Sequence, residues 1–89
     1  MDEDANFGAQ LVVTFPSTHQ ALKFERDSKA RKLSFQLMPV PRQISASCGL
    51  AAKVDGLEPK QLQLLLAADG VQYESIYLLA SDGRLECMP

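Results

Sequence analysis

The sequence predicts an α+β fold of ferredoxin-like type: a β-α-β-β-α-β sandwich with two helices on one face of a four-stranded antiparallel sheet. Three features point there. Four short runs carry strand-type residues, two longer stretches carry helix formers with recognisable ends, and their order along the chain is that of the sandwich. Right-handed crossovers then leave the topology almost no freedom.

The elements follow in order. Residues 1–9 are polar and acidic without periodicity and read as a flexible tail, leaving 10–89 as a single domain. Gln10 to Phe15 is short and β-branched, a first strand. Pro16 ends it, and Ser17 or Thr18 can cap a helix because a hydroxyl accepts from the free amides of the first turn. The stretch to about Lys32 is rich in Ala, Leu, Lys, Glu and Arg, with Ala21, Leu22, Phe24 and Ala30 as a rough apolar stripe. Ser34 to Met38 alternates as a second strand, stopped by Pro39-Val40-Pro41, and Arg42 to Cys48 is a small polar loop. Gly49 to Val54 is a third strand with Leu50, Ala52 and Val54 on one face. Asp55-Gly56 turns the chain. Pro59 falls at the first position of a second helix, Leu62, Leu65 and Leu66 follow at helical spacing, and Gly70 ends it. Val71 to Leu79 is the fourth strand. Ser81 to Arg84 then turns the chain, with room for a short closing strand at 85–88.

At 89 residues the chain makes one small domain, burying roughly 60–65% of its unfolded surface. Its 46% apolar and 22% charged residues are ordinary globular usage. Nine basic against eleven acidic residues give a net charge of −2, so the basic footprint of a nucleic-acid or anionic-membrane binder is missing. No apolar run approaches the ~20 residues of a membrane span. The start, Met1-Asp2-Glu3-Asp4, is acidic where a signal peptide is basic, which reads as cytoplasmic. Cys48 and Cys87 are too few for a disulfide scaffold.

The predicted topology brings Cys48-Gly49, at the start of strand three, beside Phe15 to His19 at the start of the first helix. A helix N-terminus offers free amides and partial positive charge. Thiols beside one titrate as low as roughly 3.5–7.5. Ser45-Ala46-Ser47 before Cys48 are small, and Gly49 after it lets a ligand or backbone approach closely. Arg42 can reach the same loop and favour an anion there. His19, in the first turn, can accept a proton from Cys48 or from a bound thiol. Against this stands the bland alternative, in which Cys48 is a small buried apolar residue and His19 an ordinary surface one.

Three blocks of residues carry a resemblance: Thr14-Phe15-Pro16-Ser17-Thr18-His19-Gln20-Ala21-Leu22-Lys23, Pro39-Val40-Pro41-Arg42, and Ser45-Ala46-Ser47-Cys48-Gly49-Leu50-Ala51. Together they resemble the small bacterial family of selenium/sulfur carrier-like proteins, from about Leu11 to Leu79. The resemblance implies a carrier rather than an enzyme with turnover of its own. Cys48 would hold the chalcogen as a persulfide or selenopersulfide, with no cofactor. The partners it implies are chalcogen donor and acceptor proteins of desulfurase or lyase and selenophosphate synthetase type. Chemically this suits the corner described above. Helix amides, Ser17, Thr18 and Arg42 would stabilise a terminal S–S⁻ or S–Se⁻ anion, and exchange needs only thiolate attack.

Other features compete. Cys87 reads as a tail cysteine rather than a resolving partner for Cys48, since strand four runs away from that corner. A metal site from Cys48, His19 and Cys87 lacks a fourth ligand and the usual spacings. The basic residues Lys23, Arg26, Lys29, Arg31 and Lys32 interleave with Glu25 and Asp27, as on a solvated face or a docking patch for an acidic partner. The sheet face opposite the helices is expected to show Val12, Met38, Ala51, Ile76 and Leu78 among Gln36, Lys53 and Glu74. Faces of that composition are commonly covered by a second copy or a partner chain. The competing function is therefore a noncatalytic interaction or ligand-sensing module, a homodimer included, with Cys48 structural.

Overall fold

A computed structural model describes residues 10–88; the expected tail at 1–9 lies outside them. The elements are β1 (Gln10–Thr14), α1 (Thr18–Ala30), β2 (Phe35–Pro39), β3 (Leu50–Asp55), α2 (Pro59–Asp69), β4 (Ser75–Leu79) and β5 (Leu85–Cys87). They form an α+β fold whose sheet has five strands in the order β2-β3-β1-β4-β5, every neighbouring pair antiparallel. The four-strand expectation therefore falls one short. The turn at Ala80–Arg84 closes with Gly83 N–H donating to Ala80 O (2.9 Å) and Ala80 N–H to Arg84 O (2.8 Å), which folds β5 back onto β4.

Local chemistry sets the ends of the elements. Ser17 is extended, and its Oγ accepts from Gln20 N–H (3.3 Å), the N-cap of α1, an interaction of about 1 kcal/mol. At the other end Lys32 takes the left-handed conformation (φ 59°), and Leu33 N–H reaches back to Ser28 O (2.9 Å). A side chain at such a φ costs roughly 1 kcal/mol that a glycine avoids. α2 starts on Pro59, and Glu58 N–H donates to Gln61 Oε1 (2.9 Å). Gly70 (φ 68°) ends it, with Val71 N–H donating to Leu66 O (3.0 Å). That six-to-one bond seats Val71 in the core as the apolar residue following the cap. Val71 thus belongs to the helix stop, and β4 begins at Ser75, four residues later than the apolar run suggests. Pro39 is tolerated in β2 because that strand is an edge, with β3 alone as neighbour.

Both helices contribute to one buried cluster with one side of the sheet. Ala21 and Phe24 of α1 and Leu62 and Leu66 of α2 meet Leu11, Val13, Ala52, Val54 and Ile76. Phe24 stacks between Phe15 (centroids 5.5 Å apart) and Phe35 (5.7 Å, edge to face). Ser28 completes the buried stripe of α1, whereas Leu22 is half exposed. Two polar ties fasten the helices along their outer edge: Arg31 Nε to Asp69 Oδ2 (3.0 Å) and Lys23 Nζ to Gly70 O (3.1 Å).

The other side of the sheet differs from expectation in two ways. Register pairs Ile76 with Val13 and Leu78 with Leu11, so both point toward the helices; Tyr77 and Leu79 are the β4 residues of the outer side. Glu74 is not part of the strand face at all: it precedes β4, and its carboxylate binds Ser47 of the β2–β3 loop. Nor is the outer side left bare. The β2–β3 loop folds across it, and Ile44, with Val40 and Ala46, packs over Val12 and Ala51, which are fully buried.

Candidate functional site

The site is built at one end of the sheet, where three segments leave it together. Thr14 closes β1 and pairs with both Ala51 of β3 and Ser75 of β4. Cys48 lies three residues before Ala51, and Ser17 three residues after Thr14, so both emerge from the same edge. Glu74 joins them, its N–H donating to Thr14 O (2.7 Å). The first turn of α1 is drawn in by Gln20, whose Oε1 accepts from Gln72 N–H (2.9 Å).

Cys48 is half-buried, packs against the helix-side core, and its thiol donates to Leu50 O (3.4 Å). The loop carrying it is held at three places. Val40 N–H donates to Gly49 O (3.1 Å) at the base, Ile44 N–H donates to Pro41 O (3.0 Å) in the turn, and Ser47 is gripped by a carboxylate. Glu74 Oε1 accepts from Ser47 N–H (3.0 Å), and Glu74 Oε2 accepts from Ser47 Oγ. Those two bonds hold the Glu74 carboxyl below the usual carboxylate range, the hydroxyl being the larger cause and the amide the second. A Cβ at Gly49 would meet nothing within 4 Å, so the space beside Cys48 is open.

The other expected site residues are distributed more widely. Ser17 spends its hydroxyl on the cap of α1, and Thr18 opens that helix on the surface. His19 is exposed and lines a shallow depression with Leu22, Lys23 and Arg26. These four recur at helical spacing on the side of α1 opposite Ala21, Phe24 and Ser28. Arg42 stands exposed in the β2–β3 loop. Among the described residues, no three of His, Cys, Asp and Glu come together as a metal site.

Cys87 and Cys48 are both free thiols. Cys87 is exposed in β5 and pairs with Tyr77 on the outer side of the sheet, in a strand rather than a tail. β5 stands three strand spacings from β3, about 14 Å, too far for a bridge. Glu74 is the residue that reading the sequence missed. A lone glutamate ahead of a strand carries no signal of its own, and the loop it binds lies 27 residues away.

The sequence model of the family described as "Putative Se/S carrier protein-like" matches residues 10–78. The chain belongs to that family. The match runs from β1 through β4 up to Leu78, with Cys48 and Glu74 inside it and β5 outside. Comparisons with curated proteins and with solved structures give no match. Among the described residues, no helix of this Se/S carrier-like chain is long and apolar enough to cross a membrane.

Proposed function

We propose that this chain is a cytoplasmic sulfur or selenium carrier, with Cys48 as the residue that accepts the chalcogen and passes it on. The family match over residues 10–78 carries this reading. The position of Cys48, a free thiol beside open space at Gly49, supports it. The Cys48 thiolate attacks the terminal sulfur of a donor persulfide. One S–S bond forms to Cys48, the donor's S–S bond breaks, and the donor leaves as a thiolate, so no oxidant is consumed. For selenium, the same exchange places a selenium atom on Cys48 as S–Se⁻. The donor and acceptor are proteins of desulfurase or lyase and selenophosphate synthetase type.

The surroundings have assigned parts in this scheme. Ser17, Thr18 and the free amides at the start of α1 stabilise the terminal anion. Arg42, on the same loop as Cys48, adds positive charge when the loop faces a partner. His19 takes the proton of an incoming thiol. The ferredoxin-like assignment belongs to the same reading, and the order β2-β3-β1-β4 within the sheet supports it.

The test is loading. Protein incubated with a persulfide donor, or with a selenopersulfide donor for the selenium case, should gain one chalcogen atom on the Cys48 peptide by mass spectrometry. Cys87→Ser should load as well as the parent chain, and Cys48→Ser should not load at all. Equal loading of the two variants, or none in the parent chain, would end the carrier assignment.

A further inference from the structure

Of the three anchors on the β2–β3 loop, two are built into its fold and one is not. The Val40–Gly49 bond and the apolar seat of Ile44 belong to the turn and to the packing on Val12 and Ala51. The Ser47–Glu74 contact is different: it joins two exposed residues from separate segments, immediately before the acceptor thiol. Glu74 also ties the loop to β1, its N–H donating to Thr14 O and its carboxylate accepting from Ser47.

We propose that Glu74 is a positioning residue for Cys48. Its carboxylate holds Ser47 by two bonds and so keeps the thiol half-buried against Leu50 O, guarded until a partner displaces the contact. This rests on Cys48 being the acceptor proposed above. The guarding has a chemical use. The form guarded is the unloaded one: Cys48 S–H donates to Leu50 O and is half-buried. Exchange requires the thiolate, so the thiol meets other disulfides less readily until a partner shifts the loop. Because the Ser47–Glu74 pair is exposed, a docking protein can compete for either partner without disturbing the core. The lowered ionisation range of Glu74 is what a carboxylate engaged by two donors should show.

The experiment measures the rate of Cys48 alkylation by iodoacetamide at high pH, where the thiolate is fully formed and the rate reports access alone. All proteins carry Cys87→Ser. Glu74→Ala, which removes both bonds, should react several-fold faster than the parent. Ser47→Ala, which keeps the backbone bond, should lie between. Glu74→Gln should stay near the parent rate, because its amide oxygen still accepts from Ser47 N–H and its amide nitrogen donates to Ser47 Oγ. Should Glu74→Ala fold poorly, Ser47→Ala against Glu74→Gln gives the same ranking. Parent-like rates in both Glu74→Ala and Ser47→Ala overturn the proposal. So does equal acceleration in Glu74→Ala and Glu74→Gln, which would assign the effect to charge and not to position. Alkylation needs no chalcogen, so a parent chain that shows this ranking but never loads sulfur refutes the carrier reading alone.

Discussion

On the helix side of the sheet, eleven buried residues from five elements and their connections form one cluster, and Phe24 within it meets the rings of Phe15 and of the partly buried Phe35. On the outer side the buried set shrinks to Val12, Ala51 and Ile44, and one loop supplies the lid. Apolar burial stabilises in rough proportion to area, so global stability resides on the helix side. The outer side has little to lose when its loop shifts. Regions with few buried contacts and polar anchors are those that open locally. The chain thus sets its candidate reactive thiol where the two layers meet, at the end of the outer-side loop but with its side chain against the helix-side core. It leaves the helix layer to hold the frame.

The strongest challenge to this contrast is Phe24→Ala. Removing a ring that touches two others should cost about 3–5 kcal/mol, read as a lowered urea midpoint. At temperatures where the variant stays folded, Cys48 alkylation should hardly change. Ile44→Ala should do the reverse: a smaller loss of about 2 kcal/mol, together with clearly faster alkylation of Cys48 as the lid loosens. If the two variants affected alkylation alike, the two faces would be a single cooperative unit and the contrast would fail.

The smallest effect belongs to the outer edge of the helix layer. The Arg31 guanidinium, by hydrogen bond first and by charge second, holds the Asp69 carboxyl below its usual range. The unfolded chain binds that proton at higher pH than the folded one. The contribution is therefore complete above the ordinary aspartate value near ~3.9 and is lost as pH falls through the lower folded value. Asp69→Asn should make the fall in melting temperature between about pH 4 and pH 2 slightly shallower. It should leave Cys48 alkylation untouched, since the pair sits between α1 and α2 and not at the loop.

Most elements were legible because their causes are local. The Ser17 cap, Pro59 at the start of α2, Gly70 at its end and the Leu50, Ala52, Val54 alternation each depend on a few neighbouring residues, and the structure keeps all of them. The errors fell where local pattern is mute. In β4, Ile76, Tyr77, Leu78 and Leu79 are all apolar, so no alternation says which side each faces. Only the pairing of Ile76 with Val13 decides it, and one step of register reverses every side chain. Val71 looked like strand because it is β-branched, but the glycine cap before it claims its N–H for the helix.

The sequence by itself determined the kinds of element, their ends and the membership of a family, because capping, periodicity and motif blocks act within a few residues of one another. Only the tertiary structure decided which strand faces meet, that the β2–β3 loop covers Val12 and Ala51 on the outer side, and that Glu74 grips Ser47 beside the thiol. Those facts depend on strand order and register, which bring residues 27 positions apart to within a hydrogen bond.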